Sequence, residues 1–231
     1  MCLTRRNILQ MVPAAAAAMS IAPRSFAAGG GHRVVVVGGG FAGSTVAKYL
    51  RMWSLGGIEV TLIDRWSEHI ACIRSTEVAL NRGSLDDLTF GYDSLRDKYG
   101  VEVVQGNVTS ISPGLVQLDS GDQYSGDSVV LAMGIQFDPI DGLDSTVIPH
   151  AWIAGEQTIL LRDQLQGEMP EHYGTFVMTI PRAPYRCPPG PYERVSMIAH
   201  TLKASNPTAK IIVADPKEKF SKQGLFQEGW A

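Results

Sequence analysis

The sequence predicts an α/β fold built from two strand–helix–strand units in series, and three observations carry that expectation. An unbroken β-branched run, Arg33-Val34-Val35-Val36-Val37, ends in Gly38-Gly39-Gly40-Phe41-Ala42-Gly43 and leads straight into a helix-capable segment. A second apolar strand, Ile58 to Ile63, stops on Asp64, 21 residues after Gly43. The pattern restarts past Trp152, where 174–180, 192–204 and 210–215 read as strand, helix and strand.

Each part of the first unit has a physical task in holding a dinucleotide. Gly38 permits the tight turn off the strand, and Gly40 lets the backbone approach a pyrophosphate. Gly43 lets the helix pack on the sheet with its N-terminal amides facing the phosphates. Asp64 is placed to accept hydrogen bonds from a ribose. Phe41, Ala42, Arg65 and Val108 are assigned with these residues to the cofactor-binding set. Strand, glycine fingerprint, helix, strand and acid in this order read as a Rossmann-like unit that binds an adenine dinucleotide.

The chain has 231 residues, 45% hydrophobic and 19% charged, which suits one large domain or two smaller ones. Its first 28 residues hold Arg5, Arg6 and Arg24 and no acid, leaving 17 basic against 23 acidic residues beyond them. A basic stripe is therefore lacking, and nucleic acid is not an expected partner. Thr4-Arg5-Arg6-Asn7-Ile8-Leu9 is a twin-arginine pattern, followed by an Ala-rich run and by Ser25-Phe26-Ala27. Residues 1–27 read as a twin-arginine signal peptide that directs the chain to the periplasm; a basic disordered N-terminus is the alternative. Pro13 interrupts the run, which is shorter than the ~20 apolar residues of a spanning helix, so no membrane span is expected. Loss of Cys2 with the signal leaves Cys72 and Cys187.

Along the first unit, 43–52 reads as a helix, 65–71 as irregular, 88–99 as a second helix stopped by Gly100, and 101–108 as a third strand. Residues 115–118 and the turn Asp119-Ser120-Gly121-Asp122 suggest an antiparallel excursion. The strand from Ser128 ends in Ala132-Met133-Gly134, a small-x-Gly turn of the kind that two-dinucleotide-domain flavoproteins set against FAD; an ordinary buried strand explains it equally well. Pro139 and Gly142 then read as a crossover, dividing the chain into a first domain, 32–141, and a second, 142–231.

The second unit places Asp215 where Asp64 lies in the first, but its connecting loop, 181–191, holds five prolines and one glycine. Proline offers no N–H to a phosphate and the Cβ-bearing residues block its approach, so no NAD site is expected. The loop instead presents Cys187 ahead of a helix N-terminus and beside Arg186, a setting that favours a thiolate and a redox role. A small buried hydrophobe is the ordinary alternative for a cysteine. The five histidines do not cluster, so no metal site is expected, and without a CxxCH motif any haem belongs to another chain.

Arg186-Cys187-Pro188-Pro189-Gly190-Pro191-Tyr192-Glu193-Arg194 resembles the flavoprotein subunit of flavocytochrome c sulfide dehydrogenase. So do Pro149-His150-Ala151-Trp152, Ala154-Gly155-Glu156-Gln157-Thr158, Phe220-Ser221-Lys222-Gln223 and the opening fingerprint, so that the resemblance runs from His32 to the last residue. It implies a glutathione-reductase-like fold related to the sulfide:quinone oxidoreductases. It also implies an FAD joined through its 8α-methyl to Cys72, with Glu77 and Val78 fitting the same pattern. Cys187 would be one half of a redox disulfide that sulfide attacks to give a persulfide, the electrons leaving through the flavin to a c-type cytochrome subunit in a heterodimer.

The family's second redox cysteine and the strand completing its FAD domain lie past the position of Ala231. The resemblance therefore implies a fold incomplete at the C-terminus and an activity impaired by truncation. Two other readings stay open: an inactive chain that binds flavin or a partner, and an NAD(P)H-dependent disulfide reductase. A Cys72–Cys187 structural disulfide is the further alternative for the two thiols.

Overall fold

The computed structural model describes residues 31–150, 153–168 and 174–231. The twin-arginine pattern and the expected cleavage site at Ala27 lie outside them. Two units emerge from the contacts within the chain: residues up to Arg65 with Asp93–Met133, and Trp66–Tyr92 with Gly134–Ala231. The two units are interleaved along the chain. Within the second unit Ala79 packs with Leu161, and Leu80 with Ile198 and Leu202, which joins residues 66–92 to the later part of the chain.

The first unit is organised around β1 (His32–Val37), followed by α1 (Phe41–Trp53) and β2 (Ile58–Asp64). The short α3 (Asp93–Tyr99) leads into β5 (Glu102–Gln105), and β9 (Ser128–Leu131) completes a four-stranded parallel sheet in the order β5-β2-β1-β9. Val35 lies opposite Thr61 on one side and Val129 on the other, and Ile63 opposite Val104. A central strand of a parallel sheet is covered on both faces, which is why β1 is a continuous valine run. Helix α1 packs on β1 and β2 and buries Gly43 and Ala47. Val35, Val37 and Ile63 instead meet Val116 and Leu118 of an antiparallel sheet formed by β6 (Val108–Ser112), β7 (Leu115–Leu118) and β8 (Gln123–Ser125).

Two sequence expectations change here. The strand expected over 101–108 is broken at Gly106, whose N–H donates to the Asp64 carbonyl and where a Cβ would lie 2.5 Å from the Leu118 side chain. Its second half turns into the antiparallel sheet. The helix expected over 88–99 begins only at Asp93, because Thr89–Gly91 pairs as β4 with β3 (Glu68–Ile70) inside the stretch expected to be irregular. β-Branched Thr89 and aromatic Phe90 favour that extended state.

In the second unit α2 (Ser75–Ala79) follows Cys72, and α4 (Glu156–Asp163) passes into a π-helical turn over Gln164–Glu168. Strands β10 (Thr175–Thr179) and β11 (Lys210–Ala214) pair in parallel, with Phe176 opposite Ile211, and α5 (Gly190–Ser205) joins them. Leu80, Ile198 and Leu202 form the buried centre, with Leu165, Phe176 and Ile211 against it. The chain closes in α6 (Gln223–Trp230), an element the sequence reading did not include. Among the described residues no helix is long and apolar enough to cross a membrane.

Candidate functional site

The glycine loop between β1 and α1 has the geometry that its sequence demands. Gly38 sits at φ +101°, a left-handed conformation, and a Cβ there would lie 2.4 Å from the Ala132 carbonyl oxygen. At Gly43 a Cβ would stand 1.7 Å from the Gly38 oxygen and 3.3 Å from the Ala132 side chain. The structure therefore brings Gly38, Gly43 and Ala132 into one close-packed knot, and the Ala132 N–H donates to the Val37 carbonyl. Exposed Phe41 opens α1, so the helix N-terminus is presented to a ligand without side-chain cover from Gly39 and Gly40. Such a cradle, with no Cβ and a helix dipole behind it, fits a pyrophosphate.

Asp64 serves this loop more directly than expected, since one carboxylate oxygen accepts the Gly39 N–H. It thereby ties the end of β2 to the fingerprint. Arg65 is exposed, with its carbonyl accepting from Gln105 Nε2 at 3.3 Å. Val108 pairs with Leu118 and packs on the Val35 cluster. Met133 is exposed, and Gly134 follows at φ +78° with open space where a Cβ would be.

The loop from β10 to α5 is built quite differently. Its Cys187 is exposed and unpaired in a disulfide, at φ +57°, a conformation that L side chains rarely adopt and one further disfavoured before proline. Strain of about 1 kcal/mol or more at such a residue is characteristic of functional sites. The Cys187 carbonyl accepts the Gly190 N–H at 2.9 Å, setting the cysteine one turn ahead of α5. A network behind it fixes the loop. Tyr185 Oη donates to the Pro188 carbonyl at 3.1 Å, and Lys217 Nζ donates to the Pro181 carbonyl at 3.3 Å while lying 5.1 Å over the Tyr185 ring.

Asp215 is the hub of that network. Its carboxylate accepts the Tyr192 hydroxyl and the Lys217 ammonium, the latter at 2.6 Å, as well as the Lys217 N–H at 3.0 Å. Phe220 stacks on Tyr192 with ring centroids 3.9 Å apart, and Phe226 and Trp230 of α6 extend the aromatic cluster. These side chains gather just past the end of β11. Burial pushes the Asp215 carboxyl up, but the bonds from Lys217 and Tyr192 outweigh it and hold the group below the usual carboxylate range. A depressed folded-state value lends stability that is present above the unfolded value and lost as pH falls through the folded one. Asp215→Asn is expected to lower stability at pH 7 by about 2 kcal/mol. The variant should also lose less stability on acidification than the parent, as thermal denaturation followed against pH would show.

Cys72 is half-buried, unpaired in a disulfide, and follows Ala71, whose N–H donates to the Leu88 carbonyl at 2.8 Å. Its own carbonyl accepts the Ser75 N–H at 3.2 Å, so the turn into α2 starts on this cysteine. The Cys72–Cys187 disulfide considered from sequence is not formed. Sequence reading also missed Arg194, which is 4% exposed on the apolar stripe Pro191, Arg194, Val195, Ile198 and Leu202 of α5. A charge on that stripe was the available signal. Among the described residues no group of three or more His, Cys, Asp or Glu side chains is placed to hold a metal.

Comparison with known proteins agrees with this geometry. Residues 32–165 match the family model of the pyridine nucleotide-disulphide oxidoreductases, and residues 158–231 match that of the central part of the flavoprotein chain of sulfide dehydrogenase (flavocytochrome c). Among solved structures, the sulfide:quinone oxidoreductase of the hyperthermophilic bacterium Aquifex aeolicus superposes with a TM-score of 0.61 at 21% identity, over 81% of this chain and 44% of that one. A ferredoxin reductase from Rhodopseudomonas palustris gives 0.58 at 18% identity, over 79% and 42%. Putidaredoxin reductase, in its covalent complex with putidaredoxin, gives 0.57 at 16% identity, over 80% and 50%. The chain spans about half the length of these proteins or less. With its glycine cradle, parallel sheet and cysteine-bearing second unit, the chain belongs to the pyridine nucleotide-disulphide oxidoreductase family, an FAD/NAD(P)-binding oxidoreductase fold, and continues in the pattern of the flavocytochrome c sulfide dehydrogenase flavoprotein.

Proposed function

We propose that this chain is the flavoprotein of a sulfide dehydrogenase, working in the periplasm after twin-arginine export and passing electrons to a c-type cytochrome subunit. The observation that carries the reading is Cys187, held in strained backbone by a proline loop where a nucleotide-binding unit would carry glycines. The match of residues 158–231 to the sulfide dehydrogenase flavoprotein model supports it.

The residues fit FAD in an assignable way. Gly38, Gly40 and Gly43 with the N-terminus of α1 would hold the pyrophosphate, and Asp64 fixes the loop that would do so. Cys72 would supply the sulfur of a thioether to the flavin. When bound, the flavin supplies a two-electron acceptor that can release electrons singly. Cys187 supplies the sulfur chemistry: while it is joined to a partner thiol, hydrosulfide attacks one of the two sulfurs and the S–S bond breaks. One sulfur then carries a persulfide, and the other leaves as the thiolate whose electron pair is passed on. A proton is released from hydrosulfide, and no hydride donor is needed. Asp215, committed to Lys217 and Tyr192, does not serve a nicotinamide dinucleotide in this reading.

Anaerobic addition of sulfide to the purified yellow protein is expected to bleach its visible flavin bands and, with a c-type cytochrome present, to reduce the haem. Bleaching by NADH or NADPH, with none by sulfide, would replace this reading with a pyridine-nucleotide disulfide reductase.

A further inference from the structure

The loop from β10 to α5 has to hold Cys187 in a conformation that the residue does not choose for itself. Its φ of +57° is left-handed, and the following Pro188 disfavours it further. A strained residue of this kind persists only where its surroundings over-determine it. The backbone of the loop is poorly equipped for that, since four of the nine residues 181–189 are proline and donate no N–H. Side chains supply what the backbone lacks. The Tyr185 hydroxyl donates to the Pro188 carbonyl at 3.1 Å, closing a ring over Arg186 and Cys187. The Gly190 N–H closes the next ring on the Cys187 carbonyl at 2.9 Å. Tyr185 is in turn held by Lys217, whose ammonium lies 5.1 Å over its ring and donates to the Pro181 carbonyl at 3.3 Å. One cation thus grips both the start and the middle of the loop. Asp215 fixes that cation at 2.6 Å, and the two side chains are only 16% and 17% exposed. The contacts therefore run unbroken from the end of β11 through Lys217 and Tyr185 to the carbonyl that follows Cys187.

We infer that Tyr185 and Lys217 are positioning residues for the Cys187 sulfur: by clamping the loop they keep Cys187 left-handed and so set the direction in which its Sγ points. Freed of the clamp, Cys187 relaxes to negative φ, and that rotation about N–Cα swings the sulfur away from its present station. A sulfur that must meet both an incoming nucleophile and a partner thiol is sensitive to such a displacement. The inference rests on the reading of Cys187 as the redox sulfur and deepens it, and its first test does not involve sulfide.

The experiment is a cycle of thermal melts on the full chain. In the parent background Cys187→Gly is expected to melt about 3 °C above Cys187→Ala, because glycine alone adopts this φ without strain. Tyr185→Phe keeps the ring and removes the hydroxyl. Added to each variant, it should abolish or reverse that advantage, since residue 187 can then leave the left-handed region and alanine restricts the unfolded chain more than glycine does. Lys217→Met should act likewise, and Lys217→Arg, which keeps the charge beside Asp215 and over the ring, should preserve the advantage. A glycine advantage that survives Tyr185→Phe overturns the proposal, as does its absence from the parent background. Should Tyr185→Phe fail to fold, Lys217→Met decides by the same criterion. In proteins that retain Cys187, Tyr185→Phe should slow sulfide bleaching of the flavin at saturating sulfide about tenfold, with the half-saturating concentration unmoved. Bleaching as fast as in the parent also overturns the proposal. A lost glycine advantage with no bleaching in any protein keeps the clamp and rejects the sulfide reading, and bleaching with an undiminished advantage does the reverse.

Discussion

Gly43→Ala is expected to weaken flavin binding about tenfold and to melt far below the parent. The added Cβ would stand 1.7 Å from the Gly38 carbonyl oxygen and 3.3 Å from Ala132. Neither obstacle is a flexible side-chain tip. The first is backbone in the turn that makes the cradle, and Gly38 cannot retreat because its own Cα already faces the Ala132 carbonyl. Either α1 lifts from the sheet, uncovering Ala47 and the valines beneath, or the turn opens and the amides lose their aim. Overpacking of backbone by a methyl group in this setting costs about 3 kcal/mol or more, a large share of a domain's stability. If half of that falls on the bound state alone, flavin affinity drops about tenfold. Gly224→Ala is the matched control, since it lies in α6 with nothing within 4 Å of an added Cβ. It should be neutral or slightly stabilising. Flavin content per protein and the melt, measured for both variants, decide the matter. A Gly43→Ala protein that stays yellow with an unchanged melt would remove the close-packed knot from the account of binding.

What could be read in the sequence was whatever depends on local chemistry. β1, α1, β2 and their glycines were legible because a buried parallel strand, a left-handed turn and a helix packed on a strand each permit few residue types. The proline loop was legible for the opposite reason, since its residues exclude a phosphate. Relations across long separations were hidden. Nothing local in 66–92 says that Ala79 will pack with Leu161 or Leu80 with Ile198. Thr89-Phe90-Gly91 reads as the start of a helix until β3 is there to pair with it. Asp215 stands where Asp64 stands in the first unit, and only the fold shows Tyr192 and Lys217 on its carboxylate. Arg194 was in view but was passed over, because a single charge on an apolar stripe carries no sign of which partners it meets.

The two cysteines are expected to separate cleanly when each is replaced by serine. Cys72→Ser should yield a protein whose colour is released to the supernatant by acid precipitation, or which is purified colourless, whereas Cys187→Ser should keep its yellow colour in the pellet. A thioether to the flavin needs a sulfur nucleophile, and a serine hydroxyl, far less acidic than a thiol, cannot replace it. The environments fit this division of labour. Cys72 is half-buried at the end of a segment pinned by the Ala71–Leu88 and Ser75–Cys72 backbone bonds, a rigid station suited to a permanent bond. Cys187 is exposed, in strained backbone between Arg186 and Pro188, a station suited to a sulfur that must be reached and exchanged. Cys187→Ser should accordingly retain covalent flavin while losing sulfide bleaching, a separation that simple destabilisation of the second unit would not give. Equal loss of acid-stable colour from both variants would mean that the roles assigned to the sulfurs are wrong, and that flavin retention depends on the shared packing of their two segments rather than on one bond.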